Sequence, residues 1–593
     1  MDVKICVPPY AFTSIPSLGT SILKAGCEAR GISCVVDYAS LRFRDLIGEN
    51  EYFLLASCEE YPFLGELSFV REAYPEQALA EDYVLKCLSR ETQVLSCKSR
   101  NTLGITRVIS RDIAFVQNIL DRIPQFLEET CDNLLSGSPK IIGFSSTFQQ
   151  TNPIIAISKI IRRRAPDVKI VFGGANFDWP MGSAWSKNLP HVDAIFSGES
   201  DNDFPAYCQA VLNEVRTAAP TPAVVRCTPV EHMDSIPIPD YGEYVAANST
   251  SRFPEPAPKI VFEASRGCWW GAKQHCTFCG LNSNGMTARY KSQERLSTEL
   301  AKLVEKYSPS WMQAADNILP VKRKLDVPTA IMESGLGPSY FFEVKANLTE
   351  AEINELTSCG IKAIQPGIES LSTRTLKEMR KGTTGAKNIA LLRNCMEAGI
   401  YVSWNYLYGF PGESRADFEG IIEIIPAISH LSPPEGFGPI RFDRYSPYHS
   451  DPESFGVDEV KPFRHYLDIF PFSRSHDEIA YHFSSAQPLG INADSDFLSF
   501  FGNRIQNWID CWEREERPYL RLSKINSDYY LIEDTRSLAN EQFSVVERTV
   551  ADALSALRTP ISVFDRDQMY NELIDRGWVV ELDGLAVSVV MAA

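Results

Sequence analysis

The chain has 593 residues, of which 44% are hydrophobic and 23% charged, a composition typical of globular proteins with large cores. Its formal net charge of −18 disfavours non-specific nucleic-acid binding, which depends on basic patches. The chain contains no apolar run of about 18 residues, so we predict no membrane span. The first residues do not resemble a signal peptide. Its 15 cysteines are mostly scattered, which is typical of reduced thiols, so we expect a cytoplasmic protein.

The N-terminal part alternates between strand and helix patterns. Residues 2–8 and 32–37 are apolar and predict strands, with a helix pattern between them at 20–30. Such a β-α-β start favours a parallel sheet. Residues 45–136 interrupt the alternation as an aromatic-rich, partly helical insertion to which we assign no chemistry. Further strands are then predicted at 141–147, 168–176 and 192–199, followed by a helix at 204–215.

Three of these predicted strands end in small or polar residues. In an open parallel sheet, ligands bind beyond the carboxyl ends of the strands, and small residues there let a ligand approach the backbone. Ordinary tight turns between strand and helix are the alternative, and spacing alone does not decide between them. The residues concerned are Ser145, Ser146, Thr147, Gly173, Gly174, Ala175, Gly198 and Glu199.

Residues 1–40 and 139–215 resemble the cobalamin-binding domain that precedes some radical S-adenosylmethionine (SAM) domains. The resemblance implies a Rossmann-like fold over 1–230 and a cobalamin held by the residues just given. The resemblance implies that the loop after the first strand also contacts the cobalamin, through Pro16, Ser17, Leu18 and Gly19. The Asp-x-His-x-x-Gly motif that supplies a histidine to cobalt in other cobalamin domains is absent, so the lower face of the cobalt stays open.

Proline-rich sequence from 216 to 258 disfavours regular structure and predicts a domain boundary. We assign residues 231–258 as a linker. A second series of strand and helix patterns begins at residue 259. Six strands are predicted, at 259–264, 310–317, 340–346, 363–370, 401–409 and 439–443, which fits a partial (β/α)6 barrel over 259–450.

Cys268, Cys276 and Cys279 follow the first strand of this series with the spacing C-x7-C-x2-C. Structural zinc sites normally have four protein ligands, and iron–sulfur clusters usually take four cysteines. Three thiolates therefore leave one coordination position open for another ligand. His275 could instead complete a zinc site, so a zinc-binding scaffold protein is the alternative.

Polar residues lie at or near the ends of the other predicted strands. In barrels the carboxyl ends of the strands carry the chemistry. The residues concerned are Asp316, Glu343, Lys345, Glu369 and Asn405. Their coincidence with the cysteine loop is a stronger argument than any single motif.

Residues 259–450 resemble the radical SAM superfamily, although its usual spacing is C-x3-C-x2-C. The resemblance implies a 4Fe–4S cluster on Cys268, Cys276 and Cys279, whose open iron binds SAM. It implies that Phe278 and Gly409 lie near the adenine, that Asp316 and Asn317 serve the SAM amino group, and that Glu343 and Lys345 reach its ribose or carboxylate. Glu369 and Ser370 match a strand-four Gly-Ile-Glu-Ser motif at the SAM site. A barrel ion pair between Glu343 and Lys345, and a helix N-terminal carboxylate at Glu369, are the structural alternatives.

More narrowly, residues 266–282 and 441–448 resemble the RiPP maturation radical SAM protein 1 family, which modifies ribosomally made peptides. The resemblance implies transfer of a methyl group from SAM through methylcobalamin to an unactivated carbon of a precursor peptide, or methylene transfer with ring closure. It also implies an electron donor such as a flavodoxin or ferredoxin. A small natural product is the alternative substrate.

The C-terminal part changes pattern twice. Residues 451–516 predict a helical cap with helices near 460–470 and 494–513. Residues 517–593 predict two hairpins, the second turning at Asp583-Gly584, with an amphipathic helix at 543–557 and further helix at 561–575. Strands and helices in this order suggest a winged-helix-like α+β module. By analogy it could hold a leader peptide by strand addition; a packing or dimerisation domain is the alternative.

Overall fold

The computed structural model describes residues 1–100, 106–214, 222–283, 285–335, 337–471, 476–562 and 566–592. The chain forms two compact units, and each is described by itself. The first unit comprises Met1–Phe262, Lys302–Ser310 and Pro462–His482. The second comprises Glu263–Ala301, Trp311–Lys461 and Phe483–Ala593.

The strands of the described residues are β1 Val3–Cys6, β2 Cys34–Asp37, β3 Val94–Arg100, β4 Thr106–Asp112, β5 Ile141–Ser145, β6 Lys169–Gly173, β7 Ala194–Ser197, β8 Ala223–Arg226, β9 Lys259–Phe262, β10 Ser265–Arg266, β11 Arg289–Tyr290, β12 Trp311–Ala314, β13 Ser339–Glu343, β14 Ile361–Gln365, β15 Tyr401–Val402, β16 Asn405–Tyr408, β17 Gly436–Pro439, β18 Phe442–Asp443, β19 Val460–Pro462, β20 His482–Ser485, β21 Leu520–Lys524, β22 Tyr529–Asp534, β23 Phe543–Glu547, β24 Val579–Leu582, β25 Leu585–Ser588 and β26 Met591–Ala592.

The α-helices are α1 Leu18–Glu28, α2 Ala39–Ile47, α3 Glu49–Ser57, α4 Leu64–Ser68, α5 Val70–Ala73, α6 Tyr83–Leu88, α7 Phe115–Leu120, α8 Ile123–Leu135, α9 Thr151–Arg164, α10 Met181–Ser186, α11 Asp203–Leu212, α12 Gly242–Thr250, α13 Trp269–Lys273, α14 Gln293–Tyr307, α15 Val327–Ser334, α16 Glu350–Ser358, α17 Thr373–Glu378, α18 Gly385–Glu397, α19 Ala416–Ile428, α20 Pro447–Ser450, α21 His465–Ile469, α22 His476–Ile479, α23 Ser495–Trp512, α24 Arg548–Ala556 and α25 Gln568–Asp575. Short 3₁₀ helices cover Pro75–Gln77, Ala175–Phe177, Met233–Ser235, Pro452–Phe455 and Gly490–Ala493. None of the helices in the described residues is long and apolar enough to cross a membrane.

The first unit contains a six-stranded parallel sheet in the order β2-β1-β5-β6-β7-β8. Its apolar strands are buried because helices accompany a parallel sheet; Val3, Ile141 and Ala194 lie in one core cluster. The chain runs from β1 to β2 on one side and returns through β5 on the other. Strand order therefore reverses between β1 and β5, and such a switch point forms a crevice at the carboxyl edge of the sheet. The predicted α/β fold is confirmed for this region.

The insertion contributes helices and the antiparallel pair β3–β4. Helix α4 contacts the loop after β5, since the amide of Gly65 donates to Gln149 Oε1 at 2.7 Å. The carboxylate of Glu66 accepts hydrogen bonds from the amides of Thr151 and Asn152 at 2.7 and 2.6 Å. The insertion thus packs against the carboxyl edge of the sheet. Residues 101–105 of the insertion lie outside the described residues.

The stretch predicted as a linker, 231–258, is not devoid of regular structure. It contains α12, and both Tyr241 and Tyr244 are buried. The hydroxyl of Tyr241 donates to the carbonyl of Val261 at 2.5 Å. The prolines lie before and after α12 rather than within it. The high proline content therefore indicated the ends of a helix and not the absence of regular structure. The earlier part of the proline-rich stretch, 216–221, lies outside the described residues.

In the second unit, β12 to β15 form a parallel ladder in the order β15-β14-β13-β12. The predicted fifth strand, 401–409, divides into β15 and β16, and Ser403 and Trp404 between them belong to neither strand. Strand β16 pairs with β17 in a separate parallel pair. The predicted sixth strand, 439–443, is likewise two short strands, β17 and β18. The prediction of six continuous barrel strands is therefore wrong in this detail.

The C-terminal region contains a four-stranded sheet in the order β23-β22-β21-β26. The helix predicted at 543–557 is wrong in its first five residues, which form β23 and pair with β22 before α24 begins. Phe543, Val545 and Val546 have high strand propensity, and the edge of β22 was available to them. The predicted hairpin is β24–β25, with positive φ at Asp583 (54°) and Gly584 (76°). The region 451–516 contains α23, but strands also occur in it.

Candidate cofactor sites

The long gap between Cys268 and Cys276 forms a short helix. Cys268 precedes α13, and its sulfur accepts a hydrogen bond from the amide of Gly271 at 3.3 Å. The indole Nε1 of Trp269 donates to the carbonyl of Leu319 at 3.0 Å, and that of Trp270 to the carbonyl of Arg380 at 3.1 Å. The extra residues of the C-x7-C spacing thus hold the loop to two neighbouring turns.

The three clustered thiols differ in exposure from most other cysteines. All 15 cysteines are free, and only Cys268, Cys276, Cys279 and Cys511 are half-buried whereas the rest are buried. Burial raises the pKa of Cys276, against the opposing charge of Lys381. Burial, with a smaller contribution from the thiols of Cys276 and Cys268, raises the pKa of Cys279 to about 11. The three sulfur atoms therefore lie within electrostatic range of one another.

The contacts of His275 bear on the choice between a cluster and a single zinc ion. Among the described residues, no group of three or more His, Cys, Asp or Glu side chains is arranged to hold one metal ion. The Nε2 atom of His275 lies 2.8 Å from the carbonyl oxygen of Cys279, so His275 is engaged with the backbone. In a 4Fe–4S cluster each cysteine binds a different iron, so the sulfurs need not converge on one point. With its Nε2 at that carbonyl, His275 is not positioned as the fourth ligand that the zinc alternative requires.

Asp316 is a structural carboxylate as well as a strand-end residue. It is 1% exposed and accepts a hydrogen bond from the amide of Ala264 at 2.8 Å and another from the hydroxyl of Ser265. Burial raises its pKa to about 7. Asn317 donates through Nδ2 to Asn282 Oδ1 at 2.9 Å. Asp316 thus joins the strand end to the start of the cysteine loop.

Glu343, Lys345 and Glu369 surround a lysine that sequence reasoning missed. The Nζ atom of Lys381 lies 3.3 Å from Glu369 Oε1 and 5.7 Å from the centre of the Phe278 ring. Burial opposes ionisation of Lys381, but Glu369 and the thiol of Cys276 hold its pKa above the usual value. Burial, and then the charge of Glu369, raise the pKa of Glu343 to about 7. The sequence signal that could have pointed to Lys381 is a basic residue beside a glycine, shortly after a short helix.

Within the described residues, the structure shows neither an ion pair between Glu343 and Lys345 nor a helix N-terminal carboxylate at Glu369. Lys345 Nζ donates to the carbonyl of Lys381 at 2.6 Å and lies 3.9 Å from the centre of the Trp270 ring. The amino end of α17 is capped by Ser372, whose hydroxyl accepts from the amide of Thr375 at 3.2 Å. Glu369 instead pairs with Lys381.

The remaining predicted SAM residues lie around β16. Ser370 Oγ lies 3.3 Å from the hydroxyl of Tyr406. The amides of Gly409 and Phe410 donate to Glu413 Oε2 at 2.6 and 3.0 Å, and burial raises the pKa of Glu413 to about 8. The rings of Phe278 and Phe410 meet edge to face at 6.0 Å. Asn405 begins β16 rather than ending it, so its predicted position at a strand end is wrong.

The predicted cobalamin residues gather at the carboxyl edge of the first unit's sheet. Ser145 ends β5, Gly173 ends β6, and Gly198 follows β7. Asn176 Nδ2 donates to Ser146 Oγ at 2.9 Å, while the amide of Ser146 donates to the carbonyl of Gly173 at 2.8 Å. Ser145, Gly173 and Gly174 line a cavity there with Phe144, Phe172 and Phe196. The small residues at this edge let a ligand approach the backbone, whereas the cavity itself, of about 50 Å³, is too small for a bulky ligand.

The other residues of this set have local roles. Gly174 has φ of 96°, and a Cβ there would lie 2.5 Å from the carbonyl oxygen of Ser146. The amide of Thr147 donates to Gln150 Oε1 at 2.7 Å. Glu199 Oε2 accepts from the amide of Val230 at 2.9 Å. Pro16 and Ser17 lead into α1, which begins at Leu18, and nothing lies within 4 Å of a Cβ built on Gly19.

Residues 262–425 match the family model of the Radical SAM superfamily, so this region is a radical SAM domain. A relative from Pyrococcus horikoshii, the uncharacterized methyltransferase PH0819, is 25% identical over 305 residues, covering 48% of this chain and 63% of the relative. A tRNA-2-methylthio-N(6)-dimethylallyladenosine synthase from Alkalilimnicola ehrlichii is 23% identical over 267 residues, covering 42% and 54%. The chain therefore spans less than two thirds of the length of these curated relatives.

The radical S-adenosylmethionine methyltransferase TsrM from Kitasatospora setae, solved with cobalamin and a [4Fe-4S] cluster bound, has a similar structure. It matches with a TM-score of 0.52 at 13% identity, over 86% of this chain and 91% of that one. A structure of TsrM with tryptophan substrate and the SAM analogue aza-SAM matches with a TM-score of 0.53 at 13% identity, over 85% and 88%. At this identity the likeness shows a shared fold.

Proposed function

We propose that this chain is a cobalamin-dependent radical SAM enzyme that transfers a methyl group from SAM to an unactivated carbon of a ribosomally made precursor peptide. Methylene transfer with ring closure is the variant of this reaction. The observation that carries the proposal is the half-buried set Cys268, Cys276 and Cys279 beside the Lys381–Glu369 pair at the ends of parallel strands.

Each cofactor has a set of residues suited to hold it. The three cysteines would hold the cluster, while Phe278, Glu343, Glu369 and Lys381 would surround SAM. The crevice between β1 and β5 in the first unit would hold cobalamin. When bound, a reduced cluster supplies the electron that cleaves SAM, and cobalamin supplies a transferable methyl group.

The chain's own residues fix this site before any cofactor binds. Trp269 and Trp270 anchor the cysteine loop through hydrogen bonds to two backbone carbonyls. Lys381 is held in place by Glu369, so a cationic donor is oriented beside the thiols. Such preorganisation limits the reorganisation needed when a charged ligand binds.

Anaerobic reconstitution tests the cluster site. We expect iron and sulfide near four each per chain, with a broad visible absorption band that dithionite bleaches. Cys276→Ala should lose most of this iron, whereas Cys511→Ala, which removes another half-buried thiol, should retain it. Stoichiometric zinc without sulfide, or equal iron loss in both variants, would contradict the proposal.

Co-expression with a neighbouring precursor peptide tests the substrate. A mass increase of about 14 on the peptide would indicate methylation, and about 12 would indicate methylene insertion with ring formation. The Cys276→Ala variant is the control and should leave the peptide mass unchanged. An unmodified peptide in the presence of active, SAM-consuming enzyme would instead favour the small natural product as substrate.

The edge strand β23 supports a role of the C-terminal region in holding a peptide. Phe543 is 55% exposed and Val545 is 64% exposed on this strand. An extended peptide can add a strand to such an edge, with its side chains against exposed apolar residues. An electron donor such as a flavodoxin or ferredoxin completes the proposed set of partners.

A further inference from the structure

A cavity lies within the second unit, between the turns that follow β12 and β13 and helix α16. Its volume is about 170 Å³. An apolar cavity of about 150 Å³ is large enough to hold benzene, so this one can take a single leucine-sized or phenyl-sized group. The apolar part of its lining consists mainly of Trp269, Leu319, Leu325, Val344, Leu348 and Leu356.

One wall of the cavity belongs to the cysteine loop. Trp269 directly follows Cys268 in sequence, and its Nε1 donates to the carbonyl of Leu319 at 3.0 Å. The indole ring is therefore fixed between the loop and the turn after β12. A group bound in the cavity would lie against the residue next to a proposed cluster ligand.

Lys345 is one of the lining residues, and its Nζ lies beside the backbone of Lys381 and the Trp270 ring. Its Nζ donates one hydrogen bond, to the carbonyl of Lys381, and an ammonium group has three protons to donate. Within the part of the chain that the structure describes, no ion pair joins Lys345 to a carboxylate. Burial, and then the ammonium group of Lys381, lower the pKa of Lys345 to about 8, while the thiol of Cys276 opposes this shift. An anion would be stabilised at this position.

The carboxylates of the lining already have partners. Glu352 Oε2 accepts from the amide and the hydroxyl of Thr349, both at 2.8 Å. Glu355 forms an ion pair with Lys322. Among the described contacts, Lys345 forms no hydrogen bond or ion pair with either carboxylate. The cavity thus combines an apolar wall, a hydrogen-bonded carboxylate at Glu352, an ion-paired carboxylate at Glu355 and the Lys345 side chain.

We propose that this cavity binds an apolar side chain of the substrate and that Lys345 Nζ binds the carboxylate next to that side chain. This deepens the proposed function, on which it rests, and assigns Lys345 to the substrate instead of to SAM. The chemistry required is an α-carboxylate beside an aliphatic or aromatic group. A peptide C-terminus and a free amino acid both supply it.

Calorimetric titration of the cluster-loaded protein with N-acetyl-L-leucine and N-acetyl-L-leucinamide tests the carboxylate. A hydrogen bond to a charged group discriminates by roughly tenfold or more, so the acid should bind at least about tenfold more tightly than the amide. Lys345→Met should abolish this preference. The matched control Lys322→Met, which removes a lysine already paired with Glu355, should retain it. Equal binding of acid and amide to the unsubstituted protein would overturn the proposal.

Two further measurements separate this site from the SAM site and identify the source of the carboxylate. Saturating S-adenosylhomocysteine should leave N-acetyl-L-leucine bound; displacement would return Lys345 to SAM and overturn the proposal. Leu325→Trp, which fills the cavity, should abolish binding of the probe without lowering the iron content. Tighter binding of N-acetyl-L-leucine than of free L-leucine supports a peptide C-terminus, and the reverse supports a free amino acid.

The same titrations on protein without cluster keep the two proposals separable. If the cluster fails to assemble, the proposed function fails, and probe binding still decides whether the cavity takes a carboxylate. If the cluster assembles and cleaves SAM but the probe does not bind, only the cavity assignment fails.

Discussion

Gly382 shows how one residue shapes the surroundings of the cysteine loop. Its φ is 66°, a conformation that favours glycine, and a Cβ there would lie 2.5 Å from the Trp270 ring. Trp270 in turn lies against Lys345 and is bonded to Arg380. Residue type and order were enough to select Phe278, Glu369 and the three cysteines as candidates, and their roles stay predictions. Lys381 and Gly382 were missed, because their importance depends on contacts across the fold.

Gly382→Ala should destabilise the second unit and reduce cluster loading. A left-handed alanine costs about 1–2 kcal/mol, and the overlap with Trp270 should add about 1–3 kcal/mol. Gly399→Ala is a matched control, since Gly399 has φ of 68° and nothing within 4 Å of a built Cβ. The free energy of unfolding and the iron content measure the two effects. Equal losses in both variants would show that the Trp270 contact has no importance.

Individual elements explain why the cofactor residues meet. Helix α13 makes the long C-x7-C gap compact. Asp316, which follows β12, accepts a hydrogen bond from the amide of Ala264 just before the cysteine loop. Strand and helix alternation predicted most elements, but element ends depended on tertiary partners. Strand β23 formed where a helix was predicted, because an unpaired neighbouring edge was present.

Helix α9 in the first unit makes a pH-dependent contact with the insertion. Glu66 accepts hydrogen bonds from the first amides of α9 and is 1% exposed. Burial raises the pKa of Glu66 from 4.5 to about 7. The folded state therefore binds this proton more tightly than the unfolded state. The resulting stability is fully present below pH 4.5 and is lost as the pH rises through 7.

Glu66→Gln should remove this pH dependence, because glutamine does not titrate. The ionisation of Glu66 should lower the free energy of unfolding of the unsubstituted protein by up to about 3 kcal/mol between pH 5 and pH 8. The variant should thus be destabilised more at pH 5 than at pH 8, as measured by urea unfolding. Glu76→Gln, an exposed carboxylate paired with Lys159, is the control and should not show this trend. A difference that does not change with pH would contradict the expectation.

At the scale of the whole molecule, each unit contains a parallel sheet with its candidate ligand residues near the carboxyl edge. The C-terminal region belongs to the second unit and packs on its helices. Arg536 Nη1 donates to the carbonyl of Ala427 in α19, and His430 Nε2 lies 2.8 Å from the carbonyl oxygen of Val589. These contacts join strands near the C-terminus to the helices of the radical SAM domain. A winged-helix-like role in holding a leader peptide remains a prediction.

The sequence by itself determined the α/β class, the cysteine loop, and the small residues beyond the strands of the first unit. These follow from residue type and local periodicity, which the chain carries independently of its fold. Tertiary structure decided that Lys381 joins Glu369, that Lys345 lines a cavity, and that the prolines of 231–258 flank a helix. Each depends on residues distant in sequence, and burial and charge act through space rather than along the chain.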